Sequence, residues 1–331
     1  MPKNRRIVLA SRPAAAVTRE NFRLETVDTP PLADGQLLVR NDWLSLDPYV
    51  RGRMNEGRSY AQSQALDETM IGGTAGTVVE SRHSKFKVGD AVVGFLGWQE
   101  YGVSDGTGLH RVDTSHIPLS AYLGAVGMPG VTAWYGLNRI IEPKAGETIV
   151  VSAASGAVGG VVGQLAKLAG CRAVGIAGGR EKCAYVVDEL KFDACIDYKG
   201  EDVGKALKEV APQGVDGYFE NVGGPILDAV LPRMNAFGRI ALCGLIAGYN
   251  AQPIPITNPT WFLISRLKLQ GFIVSEHMEV WPQALKELGA NVAAGRIRYR
   301  ETVAQGIESA PEAFIGLLRG RNFGKQLVRL W

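Results

Sequence analysis

Thr148-Ile149-Val150-Val151-Ser152-Ala153-Ala154-Ser155-Gly156-Ala157-Val158-Gly159-Gly160 is the stretch on which the fold turns. Its opening is β-branched and apolar without alternation, the pattern of a central parallel strand covered on both faces. Small residues then make a tight turn, and Val161 to Ala169 continues as a helix. Strand, glycine turn and helix in that order form a pocket for a dinucleotide pyrophosphate. Gly156 lets the backbone approach the phosphates, Gly159 lets the helix pack close to the strand, and the amides of the helix N-terminus point at the anion. Ala154 stands where the usual G-x-G-x-x-G has its first glycine. An ordinary tight turn can use the same residues; the flanking strand and helix favour the nucleotide pocket.

The next strand, Arg172 to Ala177, ends about 20 residues after the glycines, where NAD enzymes place an acid on the ribose hydroxyls. This chain has Gly178-Gly179-Arg180-Glu181-Lys182 there. Two glycines leave room and two cations follow, which suits a 2′-phosphate and therefore NADP(H). Arg180 and Lys182 have a second reading, as solvated charges on the first turn of a helix. Glu181 would serve NAD if the loop were arranged differently.

With 331 residues and 46% hydrophobic content, the chain can bury a sizeable core and points to two domains. A net charge of +3 without a Lys/Arg block gives no footing for nucleic acid or an anionic membrane surface. Every long apolar run is broken by Gly, Pro or charge before it reaches the length of a membrane span. Met1 to Ala16 lacks the continuous apolar region of a secretory leader and reads as a first strand. Cys171, Cys183, Cys195 and Cys243 make no C-x-x-C, and His83, His110, His116 and His277 make no H-x-x-x-H, so no metal site is expected. Four such cysteines suit buried thiols in a reducing cytoplasm. His110 and His116 have nothing nucleophilic beside them and read as barrel residues.

The rhythm of the chain changes near residue 125. Before it, Ile7-Val8-Leu9, Gln36 to Arg40, Gly76 to Glu80 and Ala91 to Phe95 are short apolar runs between turn signals, as in a β-barrel-like domain. In the turn Phe86-Lys87-Val88-Gly89-Asp90, Gly89 is expected to supply a positive φ. From there to Val274, strands at 148–152, 173–177, 194–197, 217–220, 239–243 and 267–273 alternate with helical stretches, which predicts a doubly wound α/β sheet. The tail ends in the strand-like Gly324 to Leu330 and is expected to rejoin the first domain.

Five further motifs follow one another: Asp47-Pro48-Tyr49-Val50-Arg51, Gly127-Met128-Pro129-Gly130-Val131-Thr132-Ala133, Ala153 to Gly163, Asn221-Val222-Gly223-Gly224 and Gly271-Phe272-Ile273-Val274. Their order resembles the zinc-independent medium-chain dehydrogenase/reductases over essentially the whole chain. Within them it is most similar to the prostaglandin reductase, or leukotriene hydroxydehydrogenase, branch that includes alkenal double-bond reductases. The resemblance implies a GroES-like β-barrel catalytic domain at 1–125, completed by 297–331, and a Rossmann NADP-binding domain at 126–296. It also implies NADPH-dependent reduction of the C=C bond of α,β-unsaturated ketones or aldehydes. Carried over residue by residue, Gly156, Ala157 and Val158 lie along the pyrophosphate, and Lys182 and Tyr198 hold the 2′-phosphate. Asn221 contacts the cofactor at the end of the fourth strand, and Cys243 and Tyr249 flank its ribose. Phe272 and Val274 hold the nicotinamide amide through backbone groups, and Asn322 closes the nicotinamide-phosphate side from the returning tail. Arg180 departs from the small residue expected there. Where zinc-dependent cousins have a metal-binding cysteine, Leu46-Asp47-Pro48-Tyr49 stands instead, and their cysteine-rich loop is missing.

Carbonyl polarisation then falls to hydrogen bonds. Hydride from C4 of NADPH adds to the β-carbon, charge moves onto the carbonyl oxygen, and a proton reaches the α-carbon; donors aimed at that oxygen stabilise the charge where it develops. The nicotinamide ribose hydroxyl and the Tyr249 phenol are the expected donors, with Tyr49 lining the substrate side. A phenol, with a pKa near 10, donates at neutral pH without carrying charge. Tyr49 has a second reading as a barrel-surface aromatic, and Tyr249 as a cap on the core beneath the Asn250 turn. Thr132 lies one turn into a helix, where its hydroxyl either faces the nicotinamide or packs; Met128 and Trp134 read as packing. A quinone oxidoreductase of the same superfamily, or a non-catalytic NADPH-binding sensor, would use the same pocket. The apolar Trp261 to Gln270 leads into the last strand, whose open edge predicts a homodimer. The expected partners are a small enone or enal and a second copy of the chain, with no nucleic acid, no membrane and a cytoplasmic location.

Overall fold

The computed structural model describes residues 2–250 and 254–331. The chain divides into two compact units, Met1–Leu123 with Glu301–Trp331, and Gly124–Arg300.

In the first unit β1 (Lys3–Leu9) pairs antiparallel with β2 (Phe22–Asp28). Its main sheet uses β3 (Leu37–Ser45), β4 (Thr74–Ser81), β5 (Ala91–Gly94), β6 (Tyr101–Ser104) and β7 (His110–Arg111), with β4 and β6 both antiparallel to β3. The short apolar runs of the sequence fall on β1, β3, β4 and β5, with Gln36 just before β3 and Phe95 just after β5. β2 buries little beyond Phe22, so it carries no apolar period by which the sequence could reveal it. Gly89 has a φ of +93°, as its turn demands. Trp98 is the centre of the core: it stacks on Phe22 at 5.6 Å and meets Phe314 edge-on at 5.5 Å. After β3 the chain turns through Asp47 and Pro48 into the short helix α1 (Tyr49–Arg53).

The second unit is built on a parallel sheet of β8 (Thr148–Ser152), β9 (Arg172–Ala177), β10 (Ala194–Asp197), β11 (Val215–Glu220), β12 (Met234–Leu242) and β13 (Lys268–Gly271). The spatial order is β10-β9-β8-β11-β12-β13. This is the doubly wound order, in which the winding reverses between β8 and β11 and ligands bind at the carboxyl ends of the strands. Every residue of β8 is buried, the physical reason for its unalternating sequence. The helices of the unit are α2 (Met128–Tyr135), α3 (Gly159–Leu168), α4 (Arg180–Ala184), α5 (Val203–Val210), α6 (Pro225–Val230), α7 (Thr260–Ile264) and α8 (Trp281–Ala293). Trp134 on α2 is buried and donates from Nε1 to Glu287 Oε2 on α8 at 2.7 Å, so its role is packing between those helices.

Helix α3 lies close to its neighbours because three glycines face them. A methyl group at Gly159 would stand 2.5 Å from the Ala153 carbonyl oxygen, one at Gly160 3.1 Å from Leu190, and one at Gly163 would overlap the Phe192 ring. Gly163→Ala should therefore destabilise the protein by about 1–3 kcal/mol through overpacking. The expected readout is a melting midpoint several degrees lower; an unchanged midpoint would mean that Phe192 moves aside freely.

The tail returns to the first unit as β14 (Glu301–Gln305), helix α9 (Ala310–Leu318) and β15 (Lys325–Arg329). β15 pairs parallel with β14 and antiparallel with β3. Lys325 on β15 donates to the Leu46 carbonyl at 2.9 Å and to Asp47 Oδ1 at 2.5 Å, while Ser45 Oγ donates to Asp47 Oδ2. Both ions are almost wholly buried, so the pair fastens the tail to the turn that presents Tyr49. Breaking such a pair leaves an uncompensated charge in the interior.

Candidate functional site

The turn after β8 is sharper than its sequence implies. The positive φ falls on Ala153, at +50°, a conformation that costs a non-glycine residue about 1–3 kcal/mol. Ala154, in the first-glycine position, is fully buried. Gly156 donates its N–H to the Ala153 carbonyl at 2.9 Å, and a methyl group placed on it would meet only that same oxygen, at 3.1 Å. Gly156 thus presents bare backbone away from the turn. The N-cap of α3, Val158, makes no side-chain cap, and Gly160 and Val161 donate their amides to the Gly156 and Val158 carbonyls, both at 3.0 Å, so Ala157, Val158 and Gly159 supply the amides at this ten-residue helix end. These features fit a pyrophosphate.

At the end of β9 the loops are drawn together by one acid. Asp197 Oδ1 accepts from the Gly179 amide at 2.7 Å and the Lys199 amide at 3.0 Å, and the residue is buried. Its carboxylate therefore braces the loop rather than standing open to a ribose. The Tyr198 ring lies over Gly178, where a methyl group would come within 2.7 Å of the phenol oxygen. Lys182, on α4, is half-buried, and burial together with the Lys199 charge holds its ammonium below the usual lysine range. Two ammonium groups near one another, with Asp197 engaged by backbone, form a spot that a phosphate dianion would neutralise. Arg180 and Glu181 are exposed.

At the carboxyl ends of β8, β11 and β12 lies a buried hydrogen-bond network. Glu220, wholly buried, accepts from Ser152 Oγ at 2.7 Å, Tyr218 Oη at 2.6 Å and the Val222 amide at 2.6 Å. Asn221 donates its amide to Ser152 Oγ and its Nδ2 to the Ser152 carbonyl, both at 2.8 Å. Cys243 donates its backbone N–H to the Glu220 carbonyl at 2.9 Å, and burial beside Glu220 pushes its thiol up to about 12. Gly244 is the gap that brings Tyr249 in: a methyl group there would stand 3.4 Å from both the Tyr249 hydroxyl and the Asn221 carbonyl. Asn221, Cys243 and Tyr249 are thus neighbours.

Phe272 is buried edge-on against Phe219 and beside Tyr135. The Val274 carbonyl already accepts from Trp281 Nε1 and the His277 amide, both at 3.2 Å, which narrows its offer to a ligand to the N–H. The Thr132 hydroxyl donates to the Met128 carbonyl at 2.8 Å within α2, so towards a ligand it is an acceptor. Two expected residues stand on the first unit. Asn322 donates Nδ2 to the Gly324 carbonyl at 2.8 Å. Tyr49 packs against the Trp98 core with Arg53 over its ring, and burial, with Asp47 nearby, holds its phenol well above the usual range. That raises the barrel-surface reading's difficulty, since a surface aromatic would not be desolvated.

Ser152, Asp197, Tyr218 and Glu220 are the supporting residues that sequence reasoning leaves out. Their only trace is polarity inside apolar strands, most visibly Glu220 directly before Asn221-Val222-Gly223-Gly224. Among the described residues, no group of three His, Cys, Asp or Glu side chains is placed to hold a metal ion.

A phosphate cradle at the switch point of a Rossmann sheet, with a separate antiparallel unit closed by the tail, is the architecture of a dinucleotide-dependent oxidoreductase. Two sequence families match, an N-terminal domain of oxidoreductases at 5–112 and a family described as zinc-binding dehydrogenase at 157–290. The chain belongs to the zinc-independent medium-chain dehydrogenase/reductases, in the branch of the alkenal and prostaglandin reductases. It is 46% identical to the NADPH-dependent curcumin reductase of Escherichia coli, covering 99% of this chain and 97% of that protein. It is 45% identical to the NADP(+)-dependent 2-alkenal reductase of Nicotiana tabacum, covering 90% and 88%. The crystal structure of CurA from Vibrio vulnificus in complex with NADPH superposes with a TM-score of 0.94, at 48% identity over 99% of each chain.

Proposed function

We propose that this protein reduces the C=C bond of α,β-unsaturated ketones and aldehydes with NADPH. The observation that carries the reading is the Tyr249 hydroxyl beside Asn221 and Cys243 at the switch point, in a chain 46% identical to a curcumin reductase. Bound NADPH supplies a hydride to the β-carbon of the substrate. The chain supplies the rest. Ala157 and Val158 offer backbone amides to the pyrophosphate, which the bare backbone of Gly156 lets approach; Lys182 and Tyr198 grip the 2′-phosphate; Asn221, Phe272, Val274 and Thr132 orient the nicotinamide half. Tyr249 donates a hydrogen bond to the carbonyl oxygen of the substrate as negative charge gathers there. Tyr49, kept neutral by its surroundings, is a second phenol able to donate without charge. Asn322 keeps the role at the nicotinamide phosphate that the resemblance implies. Cys243 stays a protonated thiol at neutral pH, which spares it from alkylation by an electrophilic enal.

Titration with NADPH and NADH, followed by addition of an enone, tests the assignment. The expected result is tight NADPH binding and oxidation matched one to one by saturated product. Oxidation by quinones without saturation of a C=C bond would overturn it in favour of a quinone enzyme.

We also propose a homodimer in a reducing cytoplasm. β13 is an edge of the parallel sheet, and Leu263 and Ile264 on the preceding α7 are 78% and 52% exposed. An apolar helix beside an open strand edge supports pairing with a second copy. Light scattering at micromolar concentration should give twice the 35.6 kDa of the chain; the monomer mass would count against the dimer. All four cysteines are free thiols, as a reducing compartment favours, and among the described residues no helix is long and apolar enough to cross a membrane.

A further inference from the structure

Two cysteines twelve residues apart meet beside the phosphate end of the nucleotide unit. Cys183 on α4 and Cys195 on β10 place their sulfurs 2.9 Å apart. Neither residue is fully buried, and β10 is the edge strand of its sheet. Cys183 directly follows Lys182, and Cys195 lies three residues before Tyr198. The Cys183 amide donates to the Gly179 carbonyl at 3.1 Å, so this sulfur is anchored to the same loop that Asp197 braces.

We propose that Cys183 and Cys195 form a redox modification site: a hydroperoxide oxidises the pair to a disulfide, which weakens NADP(H) binding at the adjoining phosphate end. The second half rests on the reading of Lys182 and Tyr198 given above. The Cys183 sulfur, accepting a hydrogen bond from the Cys195 thiol, is held below the usual thiol range, while burial and that same bond push Cys195 up. Cys183 is therefore the attacking sulfur. As a thiolate it displaces hydroxide from hydrogen peroxide and becomes a sulfenic acid; the Cys195 thiol attacks that sulfur and expels water. Overall two thiols and one peroxide give one disulfide and two waters. A disulfide requires about 2.05 Å between sulfurs, so α4 is drawn towards β10 as the bond closes. Lys182 moves with α4, away from the position set by Gly178, Gly179 and Tyr198. Cytoplasmic disulfides of this kind are transient and report redox state.

The full-length protein treated with hydrogen peroxide, and then with dithiothreitol, tests the site. Intact mass should fall by two hydrogen atoms, and a proteolytic peptide pair should link Cys183 to Cys195. The NADPH Kd should rise roughly fivefold or more, the lower end of usual coupling between two sites, and recover on reduction. Cys183→Ser and Cys195→Ser should each abolish both effects, whereas Cys171→Ser should abolish neither. Oxygen addition without the crosslink would overturn the site itself. A crosslink that leaves NADPH affinity unchanged would overturn the coupling; if Lys182→Met also left that affinity unchanged, the fault would lie in the reading of the phosphate end.

Discussion

Tyr249→Phe should lower kcat for an enone about a hundredfold, the usual loss on deleting one donor to a developing oxyanion, while the NADPH Kd changes little. The substitution removes one oxygen and keeps the ring, so packing over Gly244 and beside Asn221 survives. What disappears is a donor needed only as charge moves from the hydride onto the carbonyl. Because that bond strengthens between ground state and transition state, its loss appears in kcat rather than in binding. Steady-state kinetics with a simple enone, and fluorescence titration with NADPH, separate the two. An unchanged kcat would remove Tyr249 from the reaction and return it to capping the core.

Lys182→Met should weaken NADPH binding roughly 10- to 100-fold, the worth of one charge-assisted hydrogen bond of about 1.5–3 kcal/mol, and leave NADH binding as it is. The methionine keeps the apolar stem, so α4 loses only its ammonium. The sign of the pH dependence follows from the surroundings of the lysine. Burial and Lys199 lower its pKa, so its charge is lost earlier than an ordinary lysine's as pH rises. NADPH affinity should accordingly fall on the alkaline side ahead of the normal lysine range, with no matching fall for NADH. Equal loss for both dinucleotides would show that Lys182 supports the loop and not the phosphate.

Much of this site is written in contiguous sequence. The β8 run, the glycines of α3 and the missing acid after β9 are local features, and local chemistry explains each. Other elements were legible only in part. The positive φ of the cradle lies at Ala153, a residue type that carries no signal for that conformation in the sequence. The Val274 backbone reads as a cofactor contact by resemblance, and only the structure shows that Trp281 and His277 already reach its carbonyl. β2 has no apolar period, so its pairing with β1 is decided by partners far along the chain.

From its residues alone the chain declares a doubly wound nucleotide unit, a second strand-rich unit and a preference for NADP(H). These depend on periodicity, turn chemistry and charge within short windows, which a linear sequence preserves. The chain folded in space adds the partners of buried polar groups. Glu220 with Ser152 and Tyr218, Lys325 with Asp47, and Cys183 with Cys195 are brought together by strand order and tail return. An isolated Glu, Lys or Cys in a sequence carries no record of its partner; burial makes the partner obligatory, and the packing of the whole sheet selects which one it is.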